Sequence, residues 1–352
     1  MTVLHLWHSS GWRGGENQFR LLATHLAPSW RGHLGAPPGS QLMQRMAGVL
    51  PAHPMRCNGL LDFGSIARAR QLIVQHGFKL IHAHDSHALS TALSIRMLTK
   101  ARVVASRRNA YAIRSGWKYR AADAFFCVSE AAARELARAG VAEERLAIVP
   151  DAVDLDALDS SQPERLEADP SDIVVLCVAA FSAEKDHRTL LAAWQQVEAR
   201  CGEAWLHLAG TGPLESELRE LSASLGLQRV RFLGWREDVP ALIKGADVVV
   251  LSSRSEGLGS SLCEAQAAGK PVVATRAGGI PEAIDEGVTG LLSPVGEPSS
   301  LSENLAGLIA NPERRVSIGD AGRKRARTLF SPSAVTHAHE ALYESLLSGR
   351  SA

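Results

Sequence analysis

At 352 residues, 45% of them hydrophobic and 21% charged, the chain is too long for one average domain and has the composition of a globular protein carrying two. No apolar run approaches the ~20 residues of a membrane span. The five cysteines, Cys57, Cys127, Cys177, Cys201 and Cys263, are scattered without a C-x-x-C pair, which argues against a disulfide framework or zinc site and fits a reducing cytoplasm. The net charge of +1 conceals a polarity. Residues 1–150 hold 19 Lys/Arg against 8 Asp/Glu, a net +11, and residues 151–352 hold 19 against 29, a net −10. A first half this basic is expected to meet something anionic, either an acceptor or a membrane surface, with solvated surface charge as the plain alternative. No nucleic-acid partner is expected.

In chain order, Val3–Trp7 reads as a strand, without the basic flank of a signal peptide. A Gly-rich turn with Gly14, Gly15 and Glu16 follows, then a helix near Glu16–Leu26. Leu80–Ala83, Arg102–Ala105, Ala124–Val128 and Leu146–Val149 are further strand candidates. Ser129 before Glu130–Ala139 has the chemistry of an N-cap and Gly140 that of a stop. The first strand of that series runs into His82-Ala83-His84-Asp85-Ser86-His87. Alternate residues share a strand face, so His82 and His84 could together hold a zinc ion, or form a satisfied histidine pair. The expectation is no metal.

The Asp-, Ser- and Pro-rich stretch 161–172 reads as a linker between a first domain, 1–160, and a second, 173–330, with a closing helix in 331–352 that could pack back on the first. The second domain opens on the apolar run Ile173–Ala179, expected of a strand buried on both faces. Trp205–Ala209, Val230–Leu233, Asp247–Leu251, Pro271–Thr275 and Gly290–Leu292 follow, separated by helical segments. Alternating strands and helices predict two doubly wound α/β domains that bind ligands at the carboxyl ends of their strands.

The most informative segment runs from Asp247 to Glu282. A buried strand leads into a Ser- and Gly-rich loop, and Ser260 is placed to cap a helix ending near Ala268, with Gly269 as the stop. Glu256 precedes the helix and Glu264 lies on it, eight positions later. Gly257 and Gly259 remove side chains where backbone N–H groups could reach a ligand, and a helix N-terminus there suits a phosphate. Two carboxylates at this spacing can accept from two different sets of hydroxyls.

This segment resembles the E-x7-E signature of GT4-type retaining glycosyltransferases. The resemblance covers nearly the whole chain and is densest over 173–295. Ser182-Ala183-Glu184-Lys185 is similar to the family's P-E-K-G turn, Gly210-Thr211-Gly212-Pro213 to its G-x-G-P turn, and Val230–Gly234, with Phe232, to the segment bordering the nucleobase. Val149-Pro150-Asp151-Ala152-Val153-Asp154 is similar to V-P-N-G-V-D at the domain junction, and Gly14-Gly15-Glu16 to the G-G-x-E turn. The resemblance implies a GT-B fold, two Rossmann-like domains facing across a cleft. It implies that Glu256 contacts the transferred sugar, Glu264 holds the ribose, and Lys185 binds the donor diphosphate. Gly14, Gly15, Gly210, Gly212, Gly257, Leu258 and Gly259 would line the donor site. His82, His84, Asp85, Arg107 and Arg108 would lie on the acceptor side.

Two positions depart from the pattern. Ala180 stands where the family carries an arginine, so Lys185 has fewer cationic partners unless Arg188 or Arg254 substitutes. Arg108 stands near the place of a histidine, which suggests an anionic acceptor, since arginine forks phosphate and carboxylate. The activity implied is metal-independent transfer of a sugar from a nucleotide sugar, a UDP-sugar ahead of a GDP-sugar, to a glycan or lipid-linked acceptor, with Glu256, Lys185 and Arg108 at the reacting centre. The chemistry would be front-face transfer with no enzyme nucleophile. The expected place is the cytoplasm, peripheral at the inner face of the membrane, in surface polysaccharide or lipopolysaccharide assembly. A nucleotide-sugar epimerase of the same architecture and a non-catalytic sugar-binding scaffold are the alternatives. An NAD oxidoreductase lacks its G-x-G-x-x-G after either first strand.

Overall fold

The computed structural model describes residues 3–348 apart from 167, 168 and 170. The chain forms two compact units: the part up to Ala152 with the segment from Pro332 onward, and Val153–Ser331. The first unit holds seven strands: β1 (Val3–Leu6), β2 (His33–Ala36), β3 (Ala52–Pro54), β4 (Leu80–Ala83), β5 (Arg102–Arg107), β6 (Ala124–Cys127) and β7 (Leu146–Ile148). They pair in the order β3-β2-β1-β4-β5-β6-β7, all parallel. The second holds β8 (Ile173–Val178), β9 (Ala204–Ala209), β10 (Val230–Gly234), β11 (Val248–Leu251), β12 (Val272–Thr275) and β13 (Gly290–Ser293), in the order β10-β9-β8-β11-β12-β13, again parallel.

The strand order reverses between β1 and β4, and between β8 and β11. A doubly wound sheet opens its ligand crevice at such a reversal, beyond the carboxyl ends of the strands. The central strands are apolar throughout because helices cover both faces: β11 is Val-Val-Val-Leu, all buried. Local chemistry sets the helix ends. Ser129 Oγ accepts from Ala132 N at 3.2 Å to start Glu130–Arg138, and Gly140 (φ +86°) follows its end.

The edge strand β3 and its neighbour β2 carry no apolar run and escape a reading by hydrophobicity. They are held by close packing, since a Cβ on Gly35 would lie 2.0 Å from Met55 Cε. The first unit ends at Ala152 rather than at residue 160. The helix Leu155–Ser160 belongs to the second unit, because Lys244 Nζ donates to the carbonyls of Leu158 (3.1 Å) and Asp159 (3.3 Å) and Arg327 pairs with Asp159. The expected linker is likewise packed where it is described. Glu164 N donates to Ala241 O at 3.0 Å and Arg165 pairs with Asp247 at 3.0 Å. Its residues 167, 168 and 170 lie outside the described ones, as do 349–352 of the closing segment.

The closing helix, Pro332–Ser348, is part of the first unit. Val335, Leu342 and Tyr343 join Val3, Leu22, Trp30 and Phe126 in its core, and Glu340 Oε1 accepts from Ala27 N at 2.7 Å. Among the described residues, no helix is long and apolar enough to cross a membrane.

Candidate active site

In the second unit, the loops after β8, β9 and β11 are bound to one another before any ligand is considered. Phe181 N donates to Thr211 O (3.0 Å) and Leu214 N to Phe181 O (3.1 Å). Gly210 and Gly212 permit this approach, because a Cβ would lie 2.0 Å from Ala179 O at the first and 2.4 Å from Phe181 O at the second. Backbone packing therefore accounts for both glycines. Phe232, on β10, stands edge-on to Phe181 at 5.8 Å and carries the Arg219 guanidinium 4.5 Å over its ring.

Ala183–Lys185 forms a single helical turn that presents Lys185, whose Nζ makes a short ion pair with Glu256 Oε2. Ser253 Oγ donates to the same carboxylate oxygen at 3.2 Å. Ser252 Oγ donates to Lys185 O (3.0 Å) and Asp186 O (3.1 Å), and Arg254 N donates to Glu184 O (2.7 Å). Asp186 adopts a left-handed backbone (φ +46°), caps the helix His187–Arg200 and pairs with Arg254 Nε at 2.8 Å. Arg188 turns instead to Glu217. Of the two proposed substitutes for the missing arginine, Arg254 is thus the one fastened to the lysine turn. Burial pushes the Cys177 thiol up to about 12 and its neighbour His187 down to about 4, so these two groups carry no charge beside the lysine turn.

Gly257, Leu258 and Gly259 are buried, yet none of their amides donates to an acceptor among the described residues. Successive backbone N–H groups without a protein acceptor are available to an anion or a polar ligand. Gly259 (φ +89°), not Ser260, occupies the cap of the helix Ser260–Ala267, on which Glu264 is half-buried. The G-G-I-P-E run is also explained. Gly279 N donates to Glu256 O at 3.1 Å, and a Cβ on Gly278 (φ +54°) would lie 2.0 Å from that oxygen. Lys185, the Glu256 carboxylate and the Gly257–Gly259 amides thus stand together beyond β8 and β11, with Glu264 on the helix that follows, and a cation beside backbone donors can bind a diphosphate.

In the first unit, Gly14 and Gly15 begin the helix Gly14–His25 after β1. No atom stands within 4 Å of a Cβ on Gly14, and one on Gly15 would make ordinary contact with Trp7 at 3.4 Å, so packing does not demand glycine there. Glu16 is buried. Its Oε1 accepts from Trp7 Nε1 (3.1 Å) and its Oε2 from Arg13 N (3.0 Å). Asp85 caps the helix Ser86–Met97, accepting from His87 N and Ala88 N at 2.9 Å, and ties it to β1 through His8 N at 2.7 Å.

His82 and His84 lie beneath the surface rather than on it, at 0% and 5% exposure. His82 Nδ1 meets Tyr343 Oη at 2.6 Å and its Nε2 meets Ser106 Oγ at 2.8 Å. His84 Nε2 meets His5 Nδ1 at 3.0 Å. His5, His82 and His84 bring ligand atoms within 4.8 Å of one another, a set that could hold a metal ion. Burial holds all three well below the usual histidine range, His5 at about 3. They are neutral, as metal ligands must be. Both nitrogens of His82, however, are committed to protein partners.

Arg107 donates to Tyr111 O and lies over the Tyr119 ring at 5.9 Å. Arg108 Nε pairs with Asp151 Oδ1 at 3.3 Å. Asp151, His339 and Tyr343 are partners that sequence reasoning did not supply. Asp151 was visible only as a junction residue, and nothing in a helical pattern marks His339 or Tyr343 as neighbours of β4 and β5.

Residues 159–325 match the family described as Glycosyl transferases group 1, and residues 12–157 match Glycosyltransferase Family 4. The lipopolysaccharide core biosynthesis glycosyltransferase LpsE of Rhizobium meliloti (strain 1021) is 32% identical over 172 residues, 48% of this chain and 49% of that protein. The N-acetyl-alpha-D-glucosaminyl L-malate synthase of Bacillus anthracis is 29% identical over 178 residues, 50% of this chain and 46% of that one. The chain thus spans about half the length of the curated relatives it matches. The crystal structure of Anabaena HepE in complex with UDP and glucose is similar over 97% of this chain and 99% of that chain, with a TM-score of 0.83 at 22% identity. That likeness shows the fold, two doubly wound parallel units of the GT-B type.

Proposed function

The chain belongs to Glycosyltransferase Family 4 and the group 1 glycosyl transferases, and from that premise we propose that it moves a sugar from a nucleoside-diphosphate sugar to a glycan or lipid-linked acceptor with retention of anomeric configuration. The observation that carries the reading is the loop of unpartnered amides at Gly257–Gly259 beside the Lys185–Glu256 pair. The reacting sugar develops oxocarbenium character while its leaving diphosphate gains charge. Lys185 and the loop amides stabilise that charge from fixed positions, the arrangement that contributes most to catalysis in such sites. Glu256 accepts from hydroxyls of the transferred sugar and Glu264 from the ribose. In this reading Glu256 is engaged with hydroxyls of the transferred sugar rather than with its anomeric carbon, and the transfer proceeds on the front face without an enzyme nucleophile.

UDP is the favoured nucleotide; the similar Anabaena fold was crystallised with UDP and glucose. The relationship to LpsE supports a place in lipopolysaccharide or surface polysaccharide assembly. A cytoplasmic enzyme resting on the inner membrane face fits the exposed Arg114, Trp117 and Arg120 of the first unit. The test is thermal shift with UDP, GDP, ADP and CMP, followed by nucleotide release from UDP-sugars with a lipopolysaccharide-core acceptor. UDP is expected to raise the melting temperature selectively. No shift with any nucleoside diphosphate would overturn the proposal.

A further inference from the structure

The turn that carries Lys185 is fastened largely from outside. Within it, Lys185 N donates to Ser182 O at 3.1 Å and Ser182 Oγ to Glu184 Oε1 at 2.6 Å. The carbonyls of Glu184, Lys185 and Asp186 all accept from the loop after β11. Arg254 N bonds the first at 2.7 Å, and Ser252 Oγ bonds the other two at 3.0 and 3.1 Å. Asp186 itself has a left-handed backbone (φ +46°), which costs a residue with a Cβ energy and persists where the surroundings hold it. Its side chain is 2% exposed, and its Oδ2 accepts from Thr189 Oγ1 at 2.7 Å and from Arg254 Nε at 2.8 Å. The arginine that neutralises this buried carboxylate is 58% exposed and sits on the loop that carries Glu256.

A buried carboxylate next in sequence to a diphosphate-binding lysine opposes that lysine unless its charge is cancelled. Arg254 cancels it, and the same residue's backbone joins the lysine turn to the Glu256 loop. We propose that Arg254, paired with Asp186, is a positioning residue of the donor site. It holds the Lys185 turn in the conformation that serves the diphosphate, and it sets the lysine against Glu256. It compensates for Ala180, where the family carries an arginine, by ordering the lysine rather than by adding a second ligand to the phosphates. The pairing itself argues for the indirect role: Nε is spent on Asp186, and a guanidinium more than half in water gives an anion little, because solvent and salt screen it. The inference rests on the donor-binding part of the transfer reading above.

The test is titration of the full chain with UDP, by calorimetry, and with uridine, which lacks the diphosphate, by NMR. Arg254→Gln is expected to weaken UDP binding ~5–10-fold and to leave uridine binding unchanged, a split that a general loosening of the unit would not produce. Arg254→Lys keeps a charge beside Asp186 and should restore part of the loss. In an Asp186→Asn background there is no buried charge to cancel, so adding Arg254→Gln should weaken UDP less than about twofold, because the two residues act as one unit. A loss in that background as large as in wild type would make Arg254 a ligand in its own right and overturn the proposal. Unchanged UDP affinity in Arg254→Gln, or equal loss of UDP and uridine, overturns it as well. Should Arg254→Gln fail to fold, the comparison of Asp186→Asn with Asp186→Asn/Arg254→Gln carries the test, since neither leaves a buried charge unpaired. Absence of UDP binding by wild type sinks the donor reading and this inference with it; UDP binding that ignores Arg254→Gln sinks this inference alone.

Discussion

Glu256 and Lys185 neutralise one another, so a diphosphate that recruits the lysine leaves the carboxylate ready to accept from sugar hydroxyls. Removing each carboxylate should therefore have a different signature. Glu256→Ala frees Lys185 and is expected to keep or raise affinity for UDP while turnover falls. Glu264→Ala removes a charged acceptor and should cost ~1.5–3 kcal/mol of UDP affinity, about 10- to 150-fold. Calorimetry with UDP beside steady-state turnover separates them; equal loss of UDP affinity in both variants would refute the division of roles. That one glutamate precedes the helix and the other lies on it was legible from spacing alone. That Glu256 is held by a lysine 71 positions earlier was not, because an ion pair between loops leaves no periodic trace.

Glycines in the loops of the second unit fall into two physical classes. Gly278 combines a left-handed backbone with close approach to Glu256 O, whereas Gly226 (φ +73°) has open space around a Cβ. Gly226→Ala should cost only the left-handed penalty, ~1–2 kcal/mol, with activity intact. Gly278→Ala should cost more and displace Glu256, lowering turnover as well as melting temperature; full activity in a folded Gly278→Ala would show that this contact does not position the carboxylate. In the first unit, the segment after β5 mixes free and engaged groups. Arg114 and Trp117 are exposed, Lys118 donates to Ser86 O at 3.1 Å and Arg120 to Ala139 O at 3.2 Å. The charge reversal Arg114→Glu/Lys118→Glu/Arg120→Glu is expected to lower binding to anionic liposomes at low salt, by ~1 kcal/mol per residue that reaches the surface. Equal binding by wild type would remove the membrane reading. Elements with a continuous apolar run, such as β8 and β11, were legible in the sequence. The edge strand Ala-His-Pro and its neighbour His-Leu-Gly-Ala were not, since such short strands are specified by the adjacent backbone and by room for Met55, not by their own hydrophobicity.

Acid should act unevenly on the two units. Burial lowers His5, His33, His53, His82, His84 and His339 in the first, against His187 and His207 in the second. Each has a folded-state pKa below its unfolded value near 6.5. The unfolded state therefore binds more protons below that pH, and the stability present above about 6.5 is lost as pH falls. For the fully buried His5, His82, His84 and His339 the slope approaches about 1.4 kcal/mol per pH unit each. Hydrogen exchange between about pH 7 and 5 should show protection failing first in the first unit; simultaneous loss in both would contradict this assignment. The order of the chain adds a kinetic consequence. The strands of the first unit are made first, but the helix that closes them, with Tyr343 on His82 and Glu340 on Ala27, is made after residue 331. The second unit is contiguous, whereas the first cannot complete its last layer until the chain beyond residue 331 is made. Until that layer arrives, histidines destined for the dry interior remain in water and titrate freely, so the half of the molecule translated earliest matures last and is the half most exposed to a drop in pH during synthesis.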